Sequence, residues 1–281
     1  DGFGVSFSLH SDVVTPYINS YARPEIKERW LPGCATGETL TAIGMTEPNA
    51  GSDLAAIRTS AVKDGDAYVI NGQKTFITNG SVADLIVVAV KTGREAGYRG
   101  ISLILVDKDT PGFSLGRKLE KMGCHMQETA ELFFEDCRVP ASNLLGIEGE
   151  GFKYMMEKLQ QERLGACLLC QVNAEEALKE SLEYAKTREA FGRPIGNLQY
   201  NAFRLAEMAT EVQIGRTFLD DLIAKHIRGE NIVQQVSMAK YWLGEMVNRI
   251  AYQAVQIHGG YGYMEEYRIC RIYRNVRALS I

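Results

Sequence analysis

The adjacent residues Glu162 and Arg163 place two charges on the apolar stripe of a predicted helix. The apolar side chains of Phe152–Leu159 recur at helical spacing, and at about 100° per residue Glu162 and Arg163 fall on or beside the same face. A carboxylate on such a face loses water, which suits it to take a proton as a general base. The alternative is a structural ion pair at the rim of a helical bundle, and the pattern leaves both interpretations open.

Two segments combine hydroxyl groups, glycines and turn residues in a way that suits a polar, planar ligand. Met45–Asp53 (MTEPNAGSD) offers hydroxyls and backbone N–H groups of the kind that bind a phosphate or a polar ligand edge. Phe76–Gly80 (FITNG) puts an aromatic ring and a hydroxyl two residues apart, and so on one face of a strand. A plain connecting loop explains the first segment equally well, and a half-buried strand with a turn explains the second.

Three further groups of residues carry weaker predictions. The glycines of His258–Tyr263 (HGGYGY) allow a close backbone approach or a sharp helix end, and because no strand precedes them they are not a dinucleotide fingerprint. Cys167 and Cys170 lack the second pair of a zinc site and lie in an apolar run, which predicts buried thiols and a reducing compartment. A solvated helix face, or less commonly an anion site, is indicated by Arg268, Arg271, Arg274 and Arg277.

Composition and charge exclude several classes of protein. The chain has 281 residues, 46% apolar and 23% charged, as in a globular protein of about two domains. Its net charge of −4 indicates no basic surface for nucleic acid, and no apolar run reaches the roughly 18 residues of a membrane span. No Gly-x-Ser-x-Gly motif supports a serine nucleophile, and the histidines lack metal-ligand spacing.

The elements that position these residues change in character along the chain. The first forty residues predict helix, turn and helix, with the second helix between Pro24 and Pro32-Gly33. Short β-rich runs follow, separated or bounded by Asn71-Gly72 and Asn79-Gly80, which are typical of hairpin turns, and they favour an antiparallel sheet. From about residue 150 the period is helical with short connections, which predicts a helical bundle.

Four motifs together resemble the acyl-CoA dehydrogenase flavoproteins. They are MTEPNAGSD, FITNG, TREAFGRPIGNLQ and QIHGGYGY, and they begin at Met45, Phe76, Thr187 and Gln256. Their order and spacing match the family over essentially the whole chain, and Leu9–Ser11 and Gln161–Leu164 are most similar to its long-chain branch. The resemblance implies an α+β fold. Its parts are a remnant of an N-terminal α domain (1–38), a central antiparallel β domain (39–147) and an incomplete four-helix C-terminal bundle (148–281).

The resemblance also implies which residues bind the cofactor FAD. Thr46 would hydrogen-bond the flavin ring, Phe76 would pack on it, and Thr78 would bond near its reactive nitrogen. The set implied to bind FAD is Ile43, Met45, Thr46, Gly51, Ser52, Phe76, Ile77, Thr78, Arg188, Phe191, Gln199, Gln256, Ile257, His258, Gly259 and Gly260. Members of that set from Arg188 onward would hold the FAD of a neighbouring subunit, in a homo-oligomer that is a dimer of dimers.

The reaction implied by the resemblance is the α,β-dehydrogenation of a fatty acyl-CoA to a trans-2-enoyl-CoA in β-oxidation. In the long-chain and isovaleryl branches the catalytic base is a Glu at the position matching Glu162, which agrees with the helical pattern. Arg163 would tune Glu162, and substrate contacts would come from Ser52, Gln160, Gln161 and Arg163. Electrons would pass to an electron-transferring flavoprotein, in the bacterial cytoplasm or the mitochondrial matrix and not outside the cell.

Two other functions stay open from the sequence. An acyl-CoA oxidase of the same fold would pass its electrons to oxygen, and a truncated chain would fold or assemble without binding FAD. The family usually has Pro and Asp where this chain has Arg268 and Asn275, which puts the contacts of the fourth helix in question. By comparison with the family, we expect about one α domain before Asp1 and a cofactor-contacting segment after Ile281.

Overall fold

The computed structural model describes residues 2–93 and 97–281, which form two compact units. The sheet unit comprises Gly2–Lys121 and His125–Leu159, and the helical unit comprises Met122–Cys124 and Gln160–Ile281. The predicted α+β order of short helices, then a sheet, then long helices is confirmed. In the part of the chain that the structure describes, no helix has both the length and the apolar character needed to cross a bilayer.

Helices open the sheet unit. They are α1 (Phe3–Ser8), a π-helical stretch (Leu9–Val14), α2 (Thr15–Tyr21) and α3 (Pro24–Thr36). The prediction that Pro32-Gly33 ends the second helix is wrong, because α3 continues to Thr36 and is capped by Gly37, whose φ of 80° is left-handed. A proline within a helix removes one backbone hydrogen bond, and the burial of Ile26 and Cys34 on α3 offsets that loss.

One sheet of eight strands forms the centre of this unit. The strands are β1 (Thr41–Gly44), β2 (Ser60–Asp64), β3 (Ala67–Thr78), β4 (Leu85–Lys91), β5 (Ile101–Asp107), β6 (Phe113–Lys118), β7 (Thr129–Pro140) and β8 (Leu144–Leu145). Their order is β6-β7-β3-β2-β4-β5-β8, with β1 beside β4. Most pairs are antiparallel, as predicted, but β1 and β2 pair with β4 in parallel.

The central strands are apolar throughout because both of their faces are covered. Along β4, alternate side chains enter two different cores, one with Leu85, Val87 and Ala89 and the other with Ile86, Val88 and Val90. The first core also contains Tyr17 and Ile26 from the helices, and the second contains Phe134 from β7. The sheet is therefore a rigid support for the segments at its edges.

Asn71-Gly72 does not form a hairpin turn, so the prediction of a turn at this position is wrong. β3 continues through it as one strand paired with β7, and the register shifts between Ile70 and Gly72. Gly72 has a φ of 146°, and a Cβ at this position would lie 2.6 Å from the Thr59 hydroxyl oxygen. The glycine therefore lies opposite an extra residue of β7, at a place where close backbone approach requires the same unusual freedom as a tight turn and gives the same local signal.

The helical unit has one apolar core. Its elements are α4 (Gly151–Thr187, from Gln160 onward in this unit), β9 (Glu189–Ala190), β10 (Arg193–Pro194), α5 (Gln199–Ile227), α6 (Val233–His258) and α7 (Arg268–Val276). The predicted buried thiols are confirmed, because Cys167 and Cys170 are fully buried in this core. Burial raises the pKa of Cys167 to about 12 and that of Cys170 to about 11.

The two positions that depart from the family pattern both have partners within the helical unit. The Arg268 guanidinium, at the start of α7, donates to Glu176 at 2.7 Å and lies 3.6 Å from Glu180. Asn275 Oδ1 accepts a hydrogen bond from the Cys124 backbone N–H at 2.7 Å. Helix α7 is thus held by an ion pair and a side-chain hydrogen bond. The guanidinium of the nearby Arg274 pairs with the Glu265 carboxylate. Of the four arginines, Arg268 and Arg277 are exposed, whereas Arg271 and Arg274 are half-buried, so a fully solvated face does not form.

Candidate functional site

The first group of candidate residues lies in the sheet unit, where the end of β1 meets β3. The Thr75 backbone N–H donates to the Thr46 carbonyl at 2.9 Å, which places Thr46 beside Phe76. Exposure differs within the predicted set. Ile43, Met45 and Thr46 are half-buried, whereas Gly51 and Ser52 are exposed on the following loop. The structure thus brings the two predicted segments, Met45–Asp53 and Phe76–Gly80, to one edge of the sheet.

Phe76 is a large apolar side chain that the backbone holds in solvent. A second register shift in β3, between Lys74 and Ile77, gives Phe76 a φ of 58°, and 68% of the residue is exposed. A non-glycine residue with this φ is strained, and such strain clusters at ligand sites. Ile77 turns into the core, while Thr78 is half-buried. The exposed ring and the nearby hydroxyl suit a planar ligand with a polar edge.

A buried ion pair joins the two segments, and the sequence analysis missed it. The Lys74 side chain is fully buried and that of Glu47 is 6% exposed. Lys74 Nζ donates to Glu47 Oε1 at 2.7 Å and to the Met45 carbonyl at 3.1 Å. The Glu47 carboxylate also accepts from the backbone N–H groups of Arg58 at 2.6 Å and Thr59 at 3.0 Å. The pair therefore fixes the loop that follows β1 onto β3.

Both members of the pair are charged at neutral pH. Burial lowers the pKa of the Lys74 ammonium to about 8, against the attraction of the Glu47 carboxylate. Burial by itself would raise the pKa of Glu47, but Lys74 and the hydrogen bonds from Thr59 and Arg58 outweigh it and hold that pKa below its ordinary value. Removal of either partner would leave the other as an uncompensated buried charge.

We expect the contribution of Glu47 to stability to disappear in acid. Because its folded-state pKa lies below the unfolded value of 4.5, the contribution is complete above that value and is lost as the pH falls through the folded-state pKa. The measurement is the difference in free energy of unfolding in urea between the wild type and Glu47→Gln, from neutral pH into acid. The difference should close in acid, and one that stays constant with pH would contradict the assignment. The exposed Glu38→Gln serves as the control.

The second group of candidate residues lines a cavity in the helical unit. The cavity has a volume of about 480 Å³, and its lining consists of Tyr184, Arg188, Ile195, Ile257, His258, Gly259, Gly260, Tyr261 and Met264. Five predicted residues therefore meet here, namely Arg188, Ile257, His258, Gly259 and Gly260. The exposed Gln256 lies next to them in the chain but is not part of the lining.

Backbone groups and one cation give this cavity its binding character. Apart from the backbone next to them in the chain, no atom of the described residues lies within 4 Å of the place where a Cβ would stand on Gly259 or Gly260, so a ligand can approach the main chain there. The Arg188 guanidinium carbon lies 5.8 Å from the centroid of the Tyr261 ring. An arginine beside accessible backbone N–H groups suits a phosphate or pyrophosphate.

The His258 side chain supports the wall of the cavity. Its ring stacks on Tyr184 with centroids 4.3 Å apart, and Nδ1 donates to the Ala254 carbonyl at 2.7 Å. Burial lowers the pKa of His258 despite that hydrogen bond, which keeps the imidazole neutral. The backbone of this segment, more than the His258 ring, is therefore what a ligand would meet.

Phe191 and Gln199 lie outside this lining. Phe191 has a φ of 54° between the short strands β9 and β10 and is 92% exposed, and Gln199 is the exposed first residue of α5. A strained phenylalanine that is almost wholly exposed suits contact with another molecule better than packing within this chain. The predicted contact of both residues with the FAD of a neighbouring subunit stays a prediction.

The third group lies on α4, in the helical unit. Gln160, Gln161, Glu162 and Arg163 are all half-buried, as the mixed pattern of the helix suggests. Gln160 Oε1 accepts from the Ile232 N–H at 2.9 Å, and its Nε2 donates to the Glu230 carbonyl at 3.2 Å. Arg163 Nη1 donates to the Ser237 hydroxyl at 2.9 Å.

These contacts locate the predicted base without testing its role. Consecutive helical residues do not face each other, and the Arg163 guanidinium donates to Ser237 on α6. Gln160 and Arg163 thus fasten the stretch of α4 that bears Glu162 to the start of α6 and the turn before it. That stretch is held firmly, as a catalytic carboxylate requires. The tuning of Glu162 by Arg163 and the substrate contacts of Gln160 and Gln161 stay predictions.

Each of the two ligand-facing groups fits a part of FAD by its chemistry. The exposed Phe76 ring with the Thr46 and Thr78 hydroxyls suits an isoalloxazine ring, which is planar and has polar edges. The cavity at Gly259 and Gly260 in the helical unit suits a pyrophosphate. Among the residues described, there is no cluster of three or more His, Cys, Asp or Glu side chains placed to hold a metal ion.

Comparison with known proteins identifies relatives over nearly all of the chain. Three family models match in succession. They are "Acyl-CoA dehydrogenase, N-terminal domain" at 1–38, "Acyl-CoA dehydrogenase, middle domain" at 42–137 and "Acyl-CoA dehydrogenase, C-terminal domain" at 149–281. The mitochondrial long-chain specific acyl-CoA dehydrogenase of Sus scrofa is 46% identical over 280 residues. The match covers 99% of this chain and 65% of that relative, so the chain spans less than two thirds of its length.

Solved structures of similar proteins have the same fold. An acyl-CoA dehydrogenase from Geobacillus kaustophilus is 59% identical with a TM-score of 0.97, and the match covers 99% of this chain and 73% of that one. Butyryl-CoA dehydrogenase from Megasphaera elsdenii is 38% identical with a TM-score of 0.94, with the same coverage of 99% and 73%. Relatives with different named substrates thus share this architecture, so the fold by itself does not select a substrate.

Proposed function

This chain belongs to the acyl-CoA dehydrogenase family, a family of FAD-dependent flavoproteins, and on that premise we propose that it dehydrogenates long-chain acyl-CoA thioesters. The product is the trans-2-enoyl-CoA. The observation that carries the proposal is the strained, exposed Phe76, two residues before Thr78 and next to the backbone contact with Thr46, at an edge of the sheet that the buried Lys74–Glu47 pair keeps in place.

The residues of the sheet edge hold the flavin ring. Phe76 offers its face for stacking, Thr46 and Thr78 offer hydroxyls to the polar edge of the ring, and Ile43 and Met45 provide apolar contact. Ser52, which is exposed, contacts both the cofactor and the acyl-CoA in this proposal. The chemistry that FAD supplies when bound is acceptance of a hydride from the β-carbon of the thioester.

Glu162 takes the α-proton of the substrate. Its half-buried place on α4 keeps the carboxylate close to an apolar acyl chain and away from bulk water. The α-proton is acidified when hydrogen bonds polarise the thioester carbonyl. Arg163, fastened to Ser237 at 2.9 Å, supplies a positive charge near the developing negative one. Gln160 and Gln161 contact the substrate from the same helix.

The cavity of the helical unit holds the FAD of a neighbouring subunit. Arg188 and the exposed Phe191 and Gln199 hold that FAD, and backbone groups of Gln256–Gly260 contact its pyrophosphate. This arrangement requires a homo-oligomer, a dimer of dimers.

Electrons pass from this protein to an electron-transferring flavoprotein. The free cysteines and the mitochondrial and bacterial sources of the relatives favour the bacterial cytoplasm or the mitochondrial matrix.

The long-chain assignment rests on similarity to the long-chain relative and on the position of Glu162. The Sus scrofa long-chain enzyme is 46% identical, and the short-chain Megasphaera elsdenii structure is 38% identical. The Gln161–Leu164 segment also resembles the long-chain branch. These observations support palmitoyl-CoA over butyryl-CoA as the better substrate.

Anaerobic mixing of the FAD-loaded protein with palmitoyl-CoA or butyryl-CoA tests this function. We expect palmitoyl-CoA to bleach the visible flavin absorbance faster than butyryl-CoA, and the bleached protein to persist when air is admitted. Rapid return of colour in air would indicate an oxidase. Absence of bleaching by either thioester in a protein that holds FAD would contradict dehydrogenation, and a protein that takes up no FAD would contradict the proposal altogether.

A further inference from the structure

We propose that Gln127 is a positioning residue that aims the Thr78 hydroxyl hydrogen at the flavin ring. Gln127 is outside the residues assigned to the site above, and it acts through Thr78. The inference rests on the proposed function, in which Thr78 contacts the edge of the isoalloxazine ring. It adds a residue that sets how well that ring accepts electrons.

The Gln127 side chain is held firmly against the end of β3. Its Nε2 donates to Thr78 Oγ1 at 2.7 Å, and only 9% of the residue is exposed. The backbone around it is also fixed. The Asn79 N–H donates to the Glu128 carbonyl at 2.9 Å, and Thr78 is paired with Thr129 across β3 and β7. The amide therefore approaches Thr78 from one constant direction.

A threonine hydroxyl has one hydrogen to donate and two lone pairs that accept. The Gln127 amide occupies a lone pair, so the hydroxyl hydrogen points elsewhere. Among the residues described, no second hydrogen-bond partner of Thr78 Oγ1 is present. Thr78 is half-buried and follows the exposed Phe76 by two residues. The hydroxyl hydrogen is thus directed to the same open side as Phe76, toward an acceptor on a bound ring.

A donated hydrogen bond withdraws electron density from the flavin and makes it a better electron acceptor. Thr78→Val removes that bond, and at a given applied potential we expect about a tenfold fall in the ratio of reduced to oxidised flavin. For a two-electron couple this is about 30 mV. Gln127→Met removes only the orientation. Because a hydroxyl has three staggered positions, we expect about a threefold fall.

The test is a double-mutant cycle on the FAD-loaded protein, read as the midpoint potential and the visible spectrum of the bound flavin. Gln127→Met should lower the potential in the wild type and in Thr78→Ser, which keeps the hydroxyl. In Thr78→Val it should add nothing, because no hydroxyl remains to orient. Gln73→Met, at an exposed position on β3, is the matched control and should leave the potential unchanged.

Three results would overturn the inference. Additive effects of Gln127→Met and Thr78→Val would mean that Gln127 acts by another route. An unchanged potential in Gln127→Met would show that no orientation is lost. A raised potential would show that the amide oxygen, and not Nε2, faces Thr78. In each case a wild type that still bleaches with palmitoyl-CoA leaves the proposed function intact, whereas a wild type that binds no FAD overturns both.

Discussion

Replacement of Glu162 by Gln should leave FAD and acyl-CoA bound but slow flavin reduction by palmitoyl-CoA between about a hundredfold and ten-thousandfold. Glutamine keeps the size and most of the contacts of the side chain, but its amide does not accept the α-proton. The neighbouring residues Gln160 and Arg163 keep their own partners, so α4 stays in place. The measurement is the rate of anaerobic bleaching under single-turnover conditions, with binding followed separately by the spectral shift on adding an enoyl-CoA.

The matched control is Glu183→Gln, an exposed carboxylate on the same helix. It should bleach at the wild-type rate. Bleaching of Glu162→Gln at a rate close to that of the wild type would show that another group takes the proton. If Glu162→Gln loses enoyl-CoA binding as well as the fast bleaching, Glu162 instead only maintains the geometry of the site.

Lys74→Met should have the largest effect on stability and on retention of the cofactor. Without the ammonium, Glu47 becomes a buried carboxylate facing no cation, a change that costs about 3–5 kcal/mol. The Met45 carbonyl also loses its donor. We expect the free energy of unfolding in urea to fall by that amount and the purified protein to lose much of its bound FAD, because the loop bearing Thr46 is no longer fastened to β3.

The control is Lys63→Met on β2, which removes an exposed lysine. It should change the free energy of unfolding by no more than about 0.5 kcal/mol and leave the amount of bound FAD unchanged. The double variant Lys74→Met with Glu47→Leu separates charge from packing. It removes the unpaired carboxylate and should recover a large part of the lost stability. Equal stabilities for Lys74→Met and Lys63→Met would contradict a structural ion pair.

Much of the fold follows from local sequence patterns. The helical period predicts the long helices α4, α5 and α6, because a stripe of apolar side chains is buried at every turn. The apolar runs at β4 and β5 predict central strands, since both faces of those strands are covered. The buried state of Cys167 and Cys170 follows from the same stripe on α4.

Two local signals predicted the wrong backbone. Asn71-Gly72 has the composition of a hairpin turn but lies within β3 at a register shift, because the chain beyond it continues to pair with β7. Pro32 has the character of a helix end, yet α3 continues because tertiary burial outweighs one lost hydrogen bond. Gly72 and Pro32 each tolerate an unusual backbone conformation, and the surrounding packing selects the conformation that occurs.

Sequence by itself determined the kinds of element, the motifs that mark the family and the charged position of Glu162 on an apolar stripe. Only the tertiary structure decided the contacts that hold the site. Lys74 and Glu47 are 27 residues apart, and Gln127 and Thr78 are 49 residues apart. They meet because the loop after β1 lies against β3 and because β3 pairs with β7, which brings segments distant in the chain together. Periodicity within one strand carries no record of such contacts, since they depend on a second segment of the chain.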